Sequence, residues 1–155
     1  MYSIIKTNSE NKAFQQLVVE LDKELAIRDG DEHAFYDPFN KITAIKHVIL
    51  VYEEDKAVGC GALKEYNADT MEIKRMYVPL DKRGQGIASL IVQSLESWAK
   101  ELGYSKCILE TGVNQPEAIG LYKKNSYTII PNYGQYAGME NSVCFQPKNH
   151  HLNHP

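Results

Sequence analysis

Hydrophobic positions recur along this chain with a period that changes several times. Phe14, Leu17, Val18, Leu21 and Leu25 fall at three- and four-residue steps, which places them on one face of a helix. Ser9 or Asn11 can cap that helix and Gly30 can stop it. A stronger stripe runs through Ile87, Leu90, Ile91, Leu95, Trp98 and Leu102 and stops at Gly103. Residues 116–125 predict a third helix, with Pro116 in the first turn and Ala118, Ile119, Leu121 and Tyr122 apolar. Short apolar runs bounded by turn residues predict strands at 3–7, 47–53, 56–65, 70–78, 107–110, 127–130 and 142–146. Glu54 and Asp55 join two of these as a hairpin. Pro79 and Pro131 have no N–H to offer a ladder and end two others. The resulting order predicts a mixed α/β sheet with an antiparallel front half, and residues 29–44 form a loop or short helix.

Composition narrows the picture. The length of 155 residues suits one domain, over residues 1–147, with a polar and flexible tail at 148–155. Three histidines in that tail are better read as a solvated terminus than as metal ligands, and no metal site is expected. A net charge of -3 argues against nucleic acid as a partner. Cys60, Cys107 and Cys144 are widely spaced, contain no CxxC pair and read as small core residues. No apolar run is long enough to span a membrane and no signal peptide is visible, so a cytoplasmic location is expected.

The segment from Val78 to Ala88 carries the candidate chemistry. It joins a predicted strand to the strongest predicted helix, and its core is Arg83, Gly84, Gln85, Gly86, Ile87 and Ala88. Glycines let backbone N–H groups converge, and a helix N-terminus adds the positive end of its dipole. Together these bind phosphate. The segment has no GK[ST] sequence, and Ser89 stands where GxGxxG needs its third glycine. Lys82 and Arg83 add local positive charge to an acidic chain.

Arg83-x-x-Gly86-x-Ala88, after a strand ending in Met76, Tyr77 and Val78, resembles the acetyl-CoA signature of the GNAT (Gcn5-related) N-acetyltransferases. The later run from Asn114 through Ala118, Leu121, Tyr122 and Lys124 to Tyr127 is similar to that family's second motif, with Ser126 where glycine is usual. The resemblance covers the chain and is densest over residues 70–130. It implies a central mixed sheet of about seven strands, about four flanking helices, and two parallel strands that splay apart. Here those strands are 70–78 and 107–110, with a β-bulge near Arg75 and Met76 supplying the splay.

The same resemblance implies acetyl-CoA as cosubstrate. Its contacts would be Met76, Tyr77 and Val78 on the strand, and Arg83, Gly84, Gln85, Gly86, Ile87, Ala88 and Ser89 around the loop. Asn114, Ala118, Leu121 and Tyr122 would complete them. Transfer to an amine requires a base for the ammonium proton, a backbone N–H for the developing oxyanion, and a proton donor for the departing thiolate. Tyr122 matches the family's acid. Glu72 is the expected base, on a strand where alternation puts it on the same face as Met76 and Val78. Glu110 or an ordered water chain are the alternatives. Asn114 is a cofactor contact, a helix cap, or both.

For the acceptor, residues 28–40 combine carboxylates with aromatic rings, which suits a cationic amine. The tyrosine-rich stretch 133–142 is available to close over it. A small-molecule primary amine is the favoured partner. A protein lysine or N-terminus, and a non-catalytic acyl-CoA-binding module, remain as alternatives. Val143 and Phe145 alternate with polar residues, which together with the family's habit of pairing through C-terminal strands suggests a homodimer.

Overall fold

A computed structural model describes residues 1–29 and 45–148. The acidic and aromatic stretch from Gly30 to Asn40, and the tail from residue 149 onward, lie outside the described residues. The elements are β1 (Tyr2–Thr7), α1 (Lys12–Asp29), β2 (His47–Glu53), β3 (Lys56–Asn67), β4 (Thr70–Tyr77), α2 (Ile87–Glu101), β5 (Lys106–Gly112), α3 (Pro116–Lys124), β6 (Tyr127–Ile130) and β7 (Ser142–Pro147). Short 3-10 turns cover Leu80–Lys82 and Gly134–Tyr136. The seven strands form one sheet in the order β1-β2-β3-β4-β5-β7-β6, and only β4 and β5 run parallel. The mixed sheet read from the sequence is therefore present, with three α-helices among the described residues. None of these helices is long and apolar enough to cross a membrane.

Two cores lie on opposite faces of the sheet. On one face Ile87, Ile91, Val92 and Leu95 of α2, with Tyr122 of α3, cover Ile49, Val51, Leu63, Met71, Ile73, Leu109 and Phe145. Gly59 and Gly61 bring α2 very near to β3. A Cβ on Gly59 would stand 2.8 Å from Ile91 Cδ1, and one on Gly61 would stand 2.7 Å from Ile91 Cγ2. On the other face Phe14, Leu17 and Val18 of α1 pack on Val48, Leu50, Cys60 and Ala62. The Asn11 side chain accepts from the Phe14 N–H at 3.0 Å, so Asn11 is the helix cap. Ser9 instead accepts from the Ile45 N–H at 3.1 Å. All three cysteines are buried and free.

β7 is not an edge: it lies between β5 and β6, and Phe145 is fully buried in the core. The apolar face of β7 is covered by its own chain. The sheet edges are β1 and β6.

Candidate active site

The site begins at a bulge in β4. Arg75 has φ 57, a left-handed conformation that non-glycine residues seldom adopt, and the β3–β4 register shifts between Cys60 and Ala62 opposite it. The extra residue resets the alternation. Met71 and Ile73 before the bulge, and Met76 and Val78 after it, all pack on the α2 side. Glu72 does not share their face, contrary to simple period-two counting, because the bulge lies between them.

Beyond the bulge the central strands part. β4 and β5 pair at Thr70 with Lys106, Met71 with Cys107, Glu72 with Ile108 and Ile73 with Leu109, and then no further. Both strands continue, β4 to Tyr77 and β5 to Gly112. A cavity of about 530 Å³ occupies the gap. Its lining comes from both faces of the sheet: Ile87, Ala88, Ser89, Leu121 and Tyr122 on one, and Leu21, Glu24 and Leu25 of α1 on the other. Met76, Tyr77, Val78, Arg83, Gly84, Gly86, Asn114 and Ala118 also line it, as do Lys74 and Glu110.

The glycine loop ends in an open cradle. Gly84 has φ 80 and Gly86, the N-cap of α2, has φ 85. Among the described residues, an added Cβ at either would meet nothing within 4 Å. No side chain among the described residues caps α2, and its first turn holds no acid. The first N–H groups of a helix have no intrahelical partner, so here they are left for an anion. The cradle, the unpaired β4 edge beyond Ile73 and the through-going cavity fit acetyl-CoA: a pyrophosphate at the helix end and an amide-rich arm along an open strand edge. When bound, this cosubstrate supplies an acetyl group activated as a thioester.

Other expected contacts sit differently. Gln85 does not line the cavity; its Oε1 accepts from the Tyr2 hydroxyl at 2.8 Å. Lys82 is ion-paired to Glu53 at 2.7 Å, which holds that carboxyl below its usual range. Arg83 grips Glu24 with Nη2 at 2.7 and 3.0 Å. The loop's positive charge is thus already engaged by carboxylates. Asn114 lines the cavity but does not cap α3, whose N-cap position is Gln115.

Tyr122 is 4% exposed, with its ring 5.7 Å from that of Phe145 and 6.0 Å from that of Tyr127. Burial raises its pKa well above 10, and the nearby Glu110 carboxylate adds to the rise. The phenol therefore keeps its proton at any ordinary pH, as a proton donor must. Asn125, which the sequence reading passed over, ties α3 to the start of α2. Its Nδ2 donates to Ser89 Oγ at 3.1 Å and to the Leu121 carbonyl at 2.9 Å.

Glu72 is 6% exposed and does not line the cavity. Its Oε2 accepts from the Tyr133 hydroxyl at 2.8 Å, and Lys74 Nζ lies 3.6 Å from Oε1. Lys74 also lies 3.5 Å from the Tyr136 hydroxyl. The tyrosine-rich loop is built into this floor. Tyr136 is 1% exposed, and Asn132 Nδ2 fastens the loop by donating to the carbonyls of Met139 and Ser142 at 2.9 and 3.1 Å.

Comparison with known proteins agrees with this geometry. The family model described as "Acetyltransferase (GNAT) family" matches residues 13–127. An IAA acetyltransferase of Azospirillum brasilense is 28% identical over 136 residues, covering 86% of this chain and 89% of its own. A Klebsiella pneumoniae crystal structure assigned as an acyl-CoA N-acyltransferase superposes with TM-score 0.81 at 26% identity, over 99% of both chains. An Elizabethkingia anophelis GNAT acetyltransferase with acetyl-CoA bound shares the fold at TM-score 0.66 and 17% identity, over 94% of this chain and 97% of that one. From the first turns of α1 to the start of β6, then, the chain belongs to the GNAT family, and it is an acetyl-CoA-dependent N-acetyltransferase.

Proposed function

We propose that residues 1–147 form one catalytic domain that acetylates the primary amine of a small molecule, with Glu110 accepting the amine's proton and Tyr122 donating one to the departing thiolate. The observation that carries this reading is the cavity itself. It joins the cradle side of the sheet to the α1 side, and Tyr122 and Glu110 both line it. Its volume is in the range of small-molecule sites. Glu110 acts on Tyr122 electrostatically, which supports a donor and an acceptor serving the same reacting centre. Glu72 is the less favoured base, since it does not line the cavity. The Azospirillum relative, named an IAA acetyltransferase, lends support to a small acceptor.

The chain's own residues divide the work simply. The cradle at Gly84–Ser89 and the β4 edge at residues 74–77 hold and orient the cosubstrate. Glu110 draws an ammonium in and takes its proton, because an alkyl ammonium with a pKa near about 10 has no lone pair to attack with. Tyr122, protonated by burial, faces the leaving group.

A panel of primary amines with acetyl-CoA, read by release of free thiol, tests the proposal. Turnover with at least one small amine, and none with lysine-containing or N-terminal peptides, is the expected result. Turnover confined to peptides would replace the small acceptor with a protein.

A further inference from the structure

Arg83 belongs to the loop that receives the anionic cosubstrate, yet its guanidinium points to α1. Nη2 meets both oxygens of Glu24 at 2.7 and 3.0 Å, Nε donates to the Val78 carbonyl at 2.8 Å, and the group lies 5.7 Å from the centre of the Tyr77 ring. Arg75, at the bulge, treats the same helix in the same way. Its Nη2 meets both oxygens of Asp22 at 2.9 and 3.1 Å, and its side chain is 3% exposed. The two anchors bracket Met76, Tyr77 and Val78, which border the cavity. In each pair one Nη2 is shared between the two carboxylate oxygens, and the Arg83 guanidinium is further oriented by its Nε bond to the Val78 carbonyl.

α1 therefore sits on the rim of the splay, fastened at two points, with Leu21, Glu24 and Leu25 lining the cavity. For Arg83 to serve a phosphate it would have to leave Glu24, and the two contacts at 2.7 and 3.0 Å would be given up. The N–H groups of the cradle meet a phosphate at no such cost.

We infer that Asp22 and Glu24 are positioning residues of the acceptor wall, and that Arg83 acts through Glu24 on acceptor binding rather than as a phosphate ligand. The inference rests on the reading above that the acceptor enters from the α1 side.

The test uses the full chain carrying Arg83→Gln, Glu24→Gln, both together, or the charge-swapped pair Glu24→Arg with Arg83→Glu. Each single variant is expected to raise KM for the amine about tenfold, the effect of one charged hydrogen-bonded pair, while acetyl-CoA affinity by titration calorimetry stays within about twofold. The double variant is expected to be no worse than the worse single one, and the swapped pair to recover much of the loss. A tenfold loss of acetyl-CoA affinity in Arg83→Gln but not in Glu24→Gln would overturn the inference in favour of a phosphate ligand. If the wild-type protein acetylates no amine, the functional reading fails by itself, and hydrogen exchange decides the anchor. Faster exchange of α1 amides in both single variants supports it; unchanged protection overturns it.

Discussion

Ile73 and Leu109 are the last residues to pair across β4 and β5. One residue further on, Lys74 and Glu110 both border the cavity. The change from closed ladder to open cleft is thus made in a single step, at the point where the reaction needs a gap.

The cradle makes the first prediction. Gly86→Glu would put a Cβ on a backbone with φ 85 and a negative charge at the N-terminus of α2. Acetyl-CoA affinity is expected to fall at least about tenfold, or ~1.4 kcal/mol, by titration calorimetry. Unchanged affinity in a folded variant would remove the cofactor assignment for this loop.

Tyr122→Phe keeps the ring that packs on Phe145 and Tyr127 and deletes only the hydroxyl. With chemistry limiting the rate, kcat is expected to fall about 10²–10⁴-fold with acetyl-CoA affinity nearly intact. Because burial lifts the phenol well above 10, the wild-type rate is expected to show no loss of this acid up to about pH 10. A variant that keeps most of its kcat assigns the proton to something else.

The base can be assigned by comparing two isosteric changes. Glu110→Gln is expected to lower kcat/KM for the amine about 10²-fold or more, and Glu72→Gln to have the smaller effect on rate. The reverse ranking, with both variants stably folded, would return the role to Glu72 and imply a relay through Lys74 or Tyr133.

Ser126 follows α3 with φ 69, and its carbonyl accepts from the Lys148 N–H at 2.8 Å. A left-handed residue just past a helix end favours glycine. Ser126→Gly is expected to stabilise by about 0.5–1 kcal/mol, after the greater chain entropy of glycine is set against the relieved strain. A melting temperature higher by about 1–4 °C is the check.

Buried acids of high pKa predict how stability falls in alkali. Burial raises Tyr122, Tyr127, Tyr133 and Tyr136, and pushes Cys60 up to about 12 and Cys144 to about 11. In the unfolded chain such groups ionise near about 8.5 for cysteine and 10 for tyrosine. A folded pKa above the unfolded one contributes stability that is whole below the unfolded value and is lost as pH climbs toward the folded value. The melting temperature is expected to be level up to about pH 8.5 and to drop steeply above about pH 10. A flat profile to pH 11 would mean that these side chains are far wetter than they look.

The sheet, its strand order along the chain and the cradle were legible because they rest on local signals. Alternation gave the strands, the stripe from Ile87 to Leu95 gave α2, and the glycines at 84 and 86 marked a turn that only they adopt without strain. What was illegible lay where one residue changed a rule or a partner came from far away. Arg75 takes a left-handed conformation without glycine to announce it, so counting by twos put Glu72 on the wrong face. Arg83 and Glu24 lie 59 positions apart in sequence, and nothing local distinguishes a loop arginine awaiting a phosphate from one already held by a distant helix.

The packing of α2 on Gly59 and Gly61 carries a consequence for anyone mapping this site by mutation. Gly59 lies beneath the helix's first turns, where Ile87 Cγ2 would stand 2.9 Å from an added Cβ. A methyl there would press on Ile91, Ile87 and Val78 and lift the end of α2 that bears the cradle, although Gly59 does not itself line the cavity. A screen scored only on lost cofactor affinity would count Gly59 among the contact residues. In truth it sets the height at which the contacts are presented, and only a restoring change above it, such as Ile91→Val, which removes the Cδ1 that stands nearest, would expose the difference.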